Sequence, residues 1–100
     1  MTSSYTKSKR TDQDIKNITK QSIYDFDEQQ TDKYLSGLEE SLQLLANNPN
    51  LGLTYTSSNQ TKIEYYYHRY VSHMIYYKQR ERDIFIVRIL HKKMLPNKHL

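Results

Sequence analysis

The chain has 100 residues and a formal net charge of +4, and it contains ten tyrosines and no cysteine. This length allows one domain, 1–100, with a thin core, and the absence of cysteine excludes a disulfide scaffold and a thiolate metal site. No apolar run is long enough for a signal peptide or a membrane span, so we expect a cytoplasmic protein without membrane contact.

The two halves of the chain differ in charge. Residues 1–50 carry six Lys and Arg against eight Asp and Glu, whereas residues 51–100 carry nine against three. A basic half of this kind attracts phosphate groups or an acidic protein. The alternative is a solvated basic surface that binds no ligand.

Residues 4–8 predict a short edge strand, and a first helix follows it. Thr11 or Asp12 is expected to cap this helix, which ends near Asp25. Its apolar residues recur at the spacing of a helix rather than of a strand. They are Ile15, Ile18, Ile23 and Phe26.

Asp27 and Gln30 have the spacing of a capping box and predict a second helix. An apolar stripe follows at helical spacing, and it consists of Tyr34, Leu35, Leu38, Leu42 and Leu45. The sequence Asn47-Asn48-Pro49 ends the helix, so residues 11–47 are predicted to form a helical hairpin. Gly37 inside this helix predicts the close approach of another backbone.

The second half of the chain predicts a sheet. Residues 51–61 have the composition of a loop, and strands are expected at 62–68, 72–78 and 84–90, with a charged turn at 79–82. The fold class is therefore α+β in the order β-α-α-β-β-β, with the helical hairpin packed on a small antiparallel sheet at 62–91. The predicted core joins Leu38, Leu42 and Leu45 to Ile75, Val87 and Ile89.

The run from Tyr65 to Tyr70 interleaves aromatic and cationic residues, as surfaces that bind single-stranded nucleic acid do. Neighbouring residues of a strand point to opposite faces, however, which divides these tyrosines between two surfaces. We therefore favour packing within the core and between strands, and we expect no sequence-specific nucleic-acid binding.

The histidines and glycines do not have the spacing of known ligand sites. His68, His73, His91 and His99 form no i, i+4 pair and have no acidic companion at ligand spacing. With two glycines in the chain, neither a P-loop nor a dinucleotide fingerprint can form. The sequence predicts no metal site and no cofactor.

Two segments resemble the ParE-type toxins of the RelE/ParE superfamily. One is the last strand and its exit, Ile86-Val87-Arg88-Ile89-Leu90-His91-Lys92-Lys93-Met94, and the other is the exit of the second helix, Leu44-Leu45-Ala46-Asn47-Asn48-Pro49-Asn50-Leu51-Gly52. The resemblance covers about residues 5–94. It implies a toxin of a type II toxin–antitoxin pair that inhibits DNA gyrase and forms a hetero-oligomer with a neutralising ParD-like antitoxin.

The resemblance leaves the activity open, because RelE-type members of the superfamily cut mRNA on the ribosome. A metal-free nuclease needs cations and a general acid, and here no tyrosine follows Tyr77, which leaves His91 and Arg88. These two residues leave a regular strand on opposite faces, so we predict a binding protein without catalytic residues. A third alternative is a non-toxic member retained for antitoxin binding, since ParE-type sequences commonly carry Arg near the position of Tyr66.

The antitoxin is expected to lie along the groove between the helices and across the sheet. The candidate contacts are Ile15, Ile18, Tyr34 and Arg88. Because Arg88 interrupts an apolar strand, an internal ion pair is the alternative to an antitoxin contact. Lys92, Lys93 and Lys98 lie beyond the last strand and are the candidate contacts with the target, the alternative being a solvated tail.

Overall fold

Two helices pack on one face of a five-stranded sheet in the computed structural model, which describes residues 4–56 and 64–100. The helices are α1 (Lys9–Asp25) and α2 (Glu28–Asn47), and a 3-10 turn spans Pro96–Lys98. The strands are β1 (Ser4–Lys7), β2 (Leu53–Thr56), β3 (Glu64–Tyr70), β4 (His73–Gln79) and β5 (Asp83–His91). The α+β class and the predicted order of the main elements are confirmed.

The sheet differs from the predicted one in two respects. Its order is β1-β5-β4-β3-β2, and β1 runs parallel to β5 while the other pairs are antiparallel, so the sheet is mixed. The segment predicted as a loop contains β2, in which Tyr55 pairs with Tyr65 of β3. The polar loop composition concealed a Leu-Thr-Tyr-Thr run of good strand formers. Residues 57–61 of the predicted loop and 62–63 of the predicted strand lie outside the described residues.

The α1 helix begins earlier than predicted. Ser8 is its N-cap, and the Ser8 side chain accepts a hydrogen bond from the Thr11 backbone N–H at 3.0 Å. Neither Thr11 nor Asp12 is therefore the cap, and the buried Thr11 hydroxyl donates to the Ile86 carbonyl at 2.9 Å. The end of the helix at Asp25 is as predicted.

The α2 helix confirms the predicted cap and apolar stripe. The Asp27 carboxylate accepts from the Gln30 backbone N–H at 2.7 Å. We expected another backbone to approach Gly37, but a side chain does so instead. The Tyr70 ring lies where a Cβ on Gly37 would be. The Tyr70 hydroxyl donates to the Tyr34 carbonyl at 2.8 Å. Only glycine leaves room for this ring against the helix.

The core lies between the helices and the sheet. The α2 residues Leu38, Leu42, Leu45 and Ala46 meet a sheet surface formed by Ile75, Tyr77, Ile84, Ile86 and Ile89. The predicted contributions of Ile75 and Ile89 are confirmed, whereas that of Val87 is wrong.

A β-bulge explains the error at Val87. Tyr77 pairs with Ile86 and Tyr76 pairs with Arg88, so Val87 has no partner in β4. The extra residue reverses the alternation of side chains along β5, and Ile86 and Ile89 consequently face the helices together. The bulge also shifts the end of the strand by one residue, which brings His91 opposite His73.

The tyrosines of β3 divide between the two faces, as predicted. Tyr66 stacks on Tyr77 at a centroid distance of 5.5 Å on the helix side. Tyr65 and Tyr67 lie on the other face, beside Tyr55 and Tyr76. Because Tyr65 and Tyr76 are buried, these rings serve to pack the sheet and do not form an open surface for stacking bases.

The edge of β5 extends beyond β1 and is completed by the start of α1. Strand β1 ends at Lys7, opposite Ile86. Past this point the Ser8 hydroxyl donates to the Val87 carbonyl at 2.8 Å, and the Asp14 carboxylate accepts from the Ile89 N–H at 3.0 Å. Side chains of α1 thus replace a missing strand as hydrogen-bond partners of the edge.

Candidate functional site

A pocket of about 280 Å³ lies where the turn between α1 and α2 meets the end of the sheet. We call it the hairpin pocket. Its helical wall is formed by Ile18, Gln21, Ser22, Asp25, Phe26 and Tyr34. Its sheet wall is formed by Ser72, His73 and His91. The pocket therefore combines apolar and aromatic side chains with two imidazoles.

Exposed apolar side chains surround the turn between the helices. Phe26 is 66% exposed, its neighbour Tyr24 is 87% exposed, and Ile23 lies on the same turn. Val71, in the turn between β3 and β4, is also exposed and has a φ of 50°, which is strained for a β-branched residue. Exposed apolar side chains at one end of a domain are typical of surfaces that bind another molecule.

The two imidazoles on the sheet wall lie side by side. The ring centroids of His73 and His91 are 5.5 Å apart, and the planes are nearly perpendicular. Nδ1 of His73 is 2.7 Å from the Tyr34 hydroxyl, and Nδ1 of His91 accepts from the Lys93 backbone N–H at 3.2 Å. Both Nδ1 atoms are thus already used within the molecule.

Burial controls the protonation of this cluster. Desolvation, and then the proximity of His91, lower the pKa of His73, and the more distant Asp14 only partly opposes them. Desolvation raises the pKa of Tyr34, while a hydrogen bond from the Ser72 backbone opposes the rise. At neutral pH the Tyr34 hydroxyl is therefore protonated and His73 is neutral, and we assign Tyr34 as the hydrogen-bond donor because its oxygen already accepts from Ser72.

A bidentate ion pair holds Arg88 against α1. Its Nε and Nη2 donate to the two Asp14 oxygens at 2.8 and 2.9 Å, and its Nη1 donates to the His99 carbonyl at 3.2 Å. These contacts raise the pKa of Arg88, chiefly through the hydrogen bonds to Asp14. The internal ion pair considered for this residue is present, and it and the His99 contact use three of the five N–H donors of the guanidinium.

The model of one protein family, the ParE toxin of the type II toxin–antitoxin system parDE, matches residues 5–96. The chain belongs to the ParE toxin family. Its fold also resembles a chain of the chromosomal ParDE TA system from P. aeruginosa, with a TM-score of 0.70 and 15% sequence identity, over 90% of this chain and 96% of that one. No curated protein matches the sequence.

The pocket brings together some of the residues that the sequence singled out in this ParE-family toxin. Ile18, Tyr34 and His91 all line it, and Ile15 packs one turn earlier on α1, against the core. Arg88 lies opposite Tyr76 and His91 lies opposite His73, so the two leave β5 on opposite faces, as predicted. One catalytic surface cannot use both.

The basic residues beyond β5 are exposed in this toxin. Lys92 and Lys93 follow the strand directly, and Lys98 ends the 3-10 turn. Within the part of the chain that the structure describes, none of the three forms an ion pair. They are free to contact a partner, and their role at the target stays a prediction.

Sequence reasoning missed Asp14, the partner of Arg88, and His73, the partner of His91. Asp14 lies on the apolar face of α1, four residues before Ile18, and a carboxylate at such a position is a signal that it pairs with a buried cation. His73 gave no such signal, because its contact with His91 depends on the bulge in β5.

Two further properties of the toxin concern metals and membranes. Across residues 4–56 and 64–100, no group of three or more His, Asp or Glu side chains is placed to hold a metal ion. In the same residues, neither helix is long and apolar enough to cross a bilayer.

Proposed function

We propose that this chain is the toxin of a ParDE pair, that it inhibits DNA gyrase by binding it, and that a ParD-like antitoxin neutralises it in a hetero-oligomer. The observation that carries the proposal is the family match over residues 5–96. Gyrase and the antitoxin are expected to meet the toxin in the cytoplasm.

The surroundings of Arg88 favour binding over RNA cleavage. A metal-free nuclease needs free cations around the scissile phosphate and a general acid within reach. Arg88 is bound to Asp14, and His91 lies on the other face of the strand, in the hairpin pocket. ParE-family toxins are generally binding proteins without enzymatic activity, which agrees with this arrangement.

The hairpin pocket and its rim are the proposed docking surface for the antitoxin. The groove proposed for the antitoxin includes Ile18 and Tyr34 at the pocket and Ile15 one turn earlier on α1, and the exposed Phe26 extends its apolar surface. An amphipathic segment laid in such a groove buries its apolar side chains there. An acidic residue of the antitoxin is expected near Arg88, where it would share the guanidinium with Asp14.

Two assays run side by side test the proposed activity. Purified toxin is expected to inhibit supercoiling by gyrase and to leave translated mRNA uncut in primer extension. His91→Asn keeps an acceptor near the position of Nδ1 and removes titration, so inhibition should persist. Ribosome-dependent cleavage that His91→Asn reduces by about 10²–10⁴-fold would instead identify a nuclease. If the toxin binds its antitoxin but is inactive in both assays, it is the non-toxic member.

The basic residues after β5 are proposed to contact gyrase. Replacing Lys92, Lys93 and Lys98 by Glu is expected to weaken inhibition at least about tenfold, because charge reversal removes electrostatic attraction and adds repulsion. The matched control replaces the exposed Lys9, Lys16 and Lys20 of α1 by Glu, which changes the net charge equally. Equal loss in both variants would mean that overall charge, and not this segment, determines inhibition.

A further inference from the structure

We propose that the hairpin pocket is a proton-linked receptor for an acidic side chain of the antitoxin, whose carboxylate lies between His73 and His91. An apolar neighbour of that acidic residue covers Ile18 and Phe26. The inference rests on the proposed function, because it takes the antitoxin as the occupant, and it adds the ligand group and its dependence on pH.

The hydrogen bonds of the two imidazoles determine what the pocket offers a ligand. We assign Tyr34 as the donor to Nδ1 of His73, because the Tyr34 oxygen already accepts from the Ser72 backbone, and the Lys93 N–H donates to Nδ1 of His91. In the neutral form each ring therefore carries its hydrogen on Nε2. Two N–H donors on rings 5.5 Å apart are suited to the two oxygens of one carboxylate.

The ionisable groups around the pair leave a place for one more negative charge. From α1, Asp14 is already bound to Arg88, and Asp25 accepts a hydrogen bond from the Gln21 amide at 2.9 Å. From α2 and β3, the neighbours are the hydroxyls of Tyr34 and Tyr70, and the pKa values of both are raised by burial. Lys92 and Lys93 follow His91 directly. A carboxylate that enters here meets neutral donors, and Asp25, which also lines the pocket, is a negative charge that opposes it.

The apolar part of the pocket indicates a peptide rather than a small anion. Ile18 and Phe26 form a wall beside the imidazoles, and Phe26 and Tyr24 remain largely exposed. A phosphate or acetate ion would leave this wall uncovered. A peptide segment with an acidic residue next to an apolar one satisfies the imidazoles and buries the wall at once. This is the chemistry expected of an antitoxin segment that meets the basic half of the toxin.

Proton linkage follows from the protonation of His73 in the free toxin. His73 is neutral near pH 7, because burial and His91 lower its pKa. A carboxylate on Nε2–H of His73 favours the charged form of this ring and raises its pKa in the complex. The added proton is held on Nδ1 of His73, and the Tyr34 hydroxyl turns to accept a hydrogen bond from it. Binding therefore takes up a proton, and the affinity rises as the pH falls from about 8 to about 6, by up to about tenfold per pH unit for one proton.

Isothermal titration of the toxin with its antitoxin tests this linkage. Titrations at several values between about pH 6 and about pH 8, each in two buffers of different ionisation enthalpy, measure Kd and the number of protons taken up. We expect Kd to fall at least about tenfold as the pH is lowered from about 8 to about 6, and the complex to take up nearly one proton as it forms. A Kd independent of pH would overturn the inference and leave the proposed function intact. If no complex formed at any pH, both would be overturned.

Asn variants assign the effect to the pocket. His73→Asn and His91→Asn each remove one Nε2–H donor of the pocket, so each should weaken binding at about pH 8, and the double variant should also lose the proton uptake. His99→Asn, in the tail, is the matched control and should behave as the unmodified toxin. Thermal melts at about pH 8 establish that each variant is folded. Proton uptake that persists in the double variant would place the titrating group elsewhere and overturn the inference.

Discussion

Asp14→Ala is expected to destabilise the toxin by about 3–5 kcal/mol, the cost of removing one partner of a largely buried ion pair. The side chains of Arg88 and Asp14 are only 15% and 10% exposed, so the guanidinium that remains is poorly solvated. The substitution also leaves the Ile89 N–H without its acceptor at the edge of β5. Urea denaturation followed by circular dichroism measures the change in the free energy of unfolding.

Asp12→Ala is the matched control for Asp14→Ala. Asp12 lies on the same helix, and its ion pair with Lys7 is longer, at 3.7 Å, and more exposed. Its loss should therefore change stability by less than about 1 kcal/mol. In the variant Asp14→Leu/Arg88→Met, the cost should be smaller than in Asp14→Ala, because no charge remains unpaired. Equal effects of Asp14→Ala and Asp12→Ala would show that the buried pair is not important to the fold.

Leu42→Ala is expected to destabilise the toxin by about 2–5 kcal/mol, a large share of the stability of so small a domain. Leu42 is 1% exposed and lies in the core between α2 and the sheet. Truncation leaves a cavity that the packed neighbours fill only in part. The measurement is the midpoint of chemical denaturation, with and without the antitoxin, which is expected to restore part of the loss by mass action.

Leu44→Ala provides the comparison for Leu42→Ala. The two residues have the same side chain on the same helix, but Leu44 is 45% exposed and outside the core. Its truncation should cost less than about 1 kcal/mol. If Leu42→Ala left the midpoint as unchanged as Leu44→Ala does, the packing of α2 on the sheet would be contradicted.

Local patterns predicted the helices and most of the strands. The capping interaction between Asp27 and Gln30 and the stripe of Leu38, Leu42 and Leu45 depend on contacts within one helix, so their spacing carries the information. The strands β4 and β5 were likewise found from short apolar runs around a charged turn. The parallel position of β1 beside β5 joins segments about eighty residues apart, and no local pattern expresses such a pairing.

Some residues of the candidate site could likewise be predicted from local patterns, and others depend on the tertiary structure. Ile18, Tyr34 and His91 were singled out from the periodicity of the helices and from the residues that end the last strand. Asp14, the partner of Arg88, was not predicted from the sequence. Its carboxylate contacts β5 beyond the end of β1, where α1 lies along the edge of the sheet. The ion pair is a consequence of that tertiary arrangement.

The sequence by itself determined the class of the fold, the position of the hairpin and the identity of the family. The tertiary structure alone decided which side chains of β5 meet the helices. The bulge at Val87 moves the register by one residue; without it His73 would lie opposite Leu90 instead of His91. Because side chains alternate along a strand, one extra residue exchanges the two faces beyond it, and the pairing of two strands, not either strand alone, determines where that residue is accommodated.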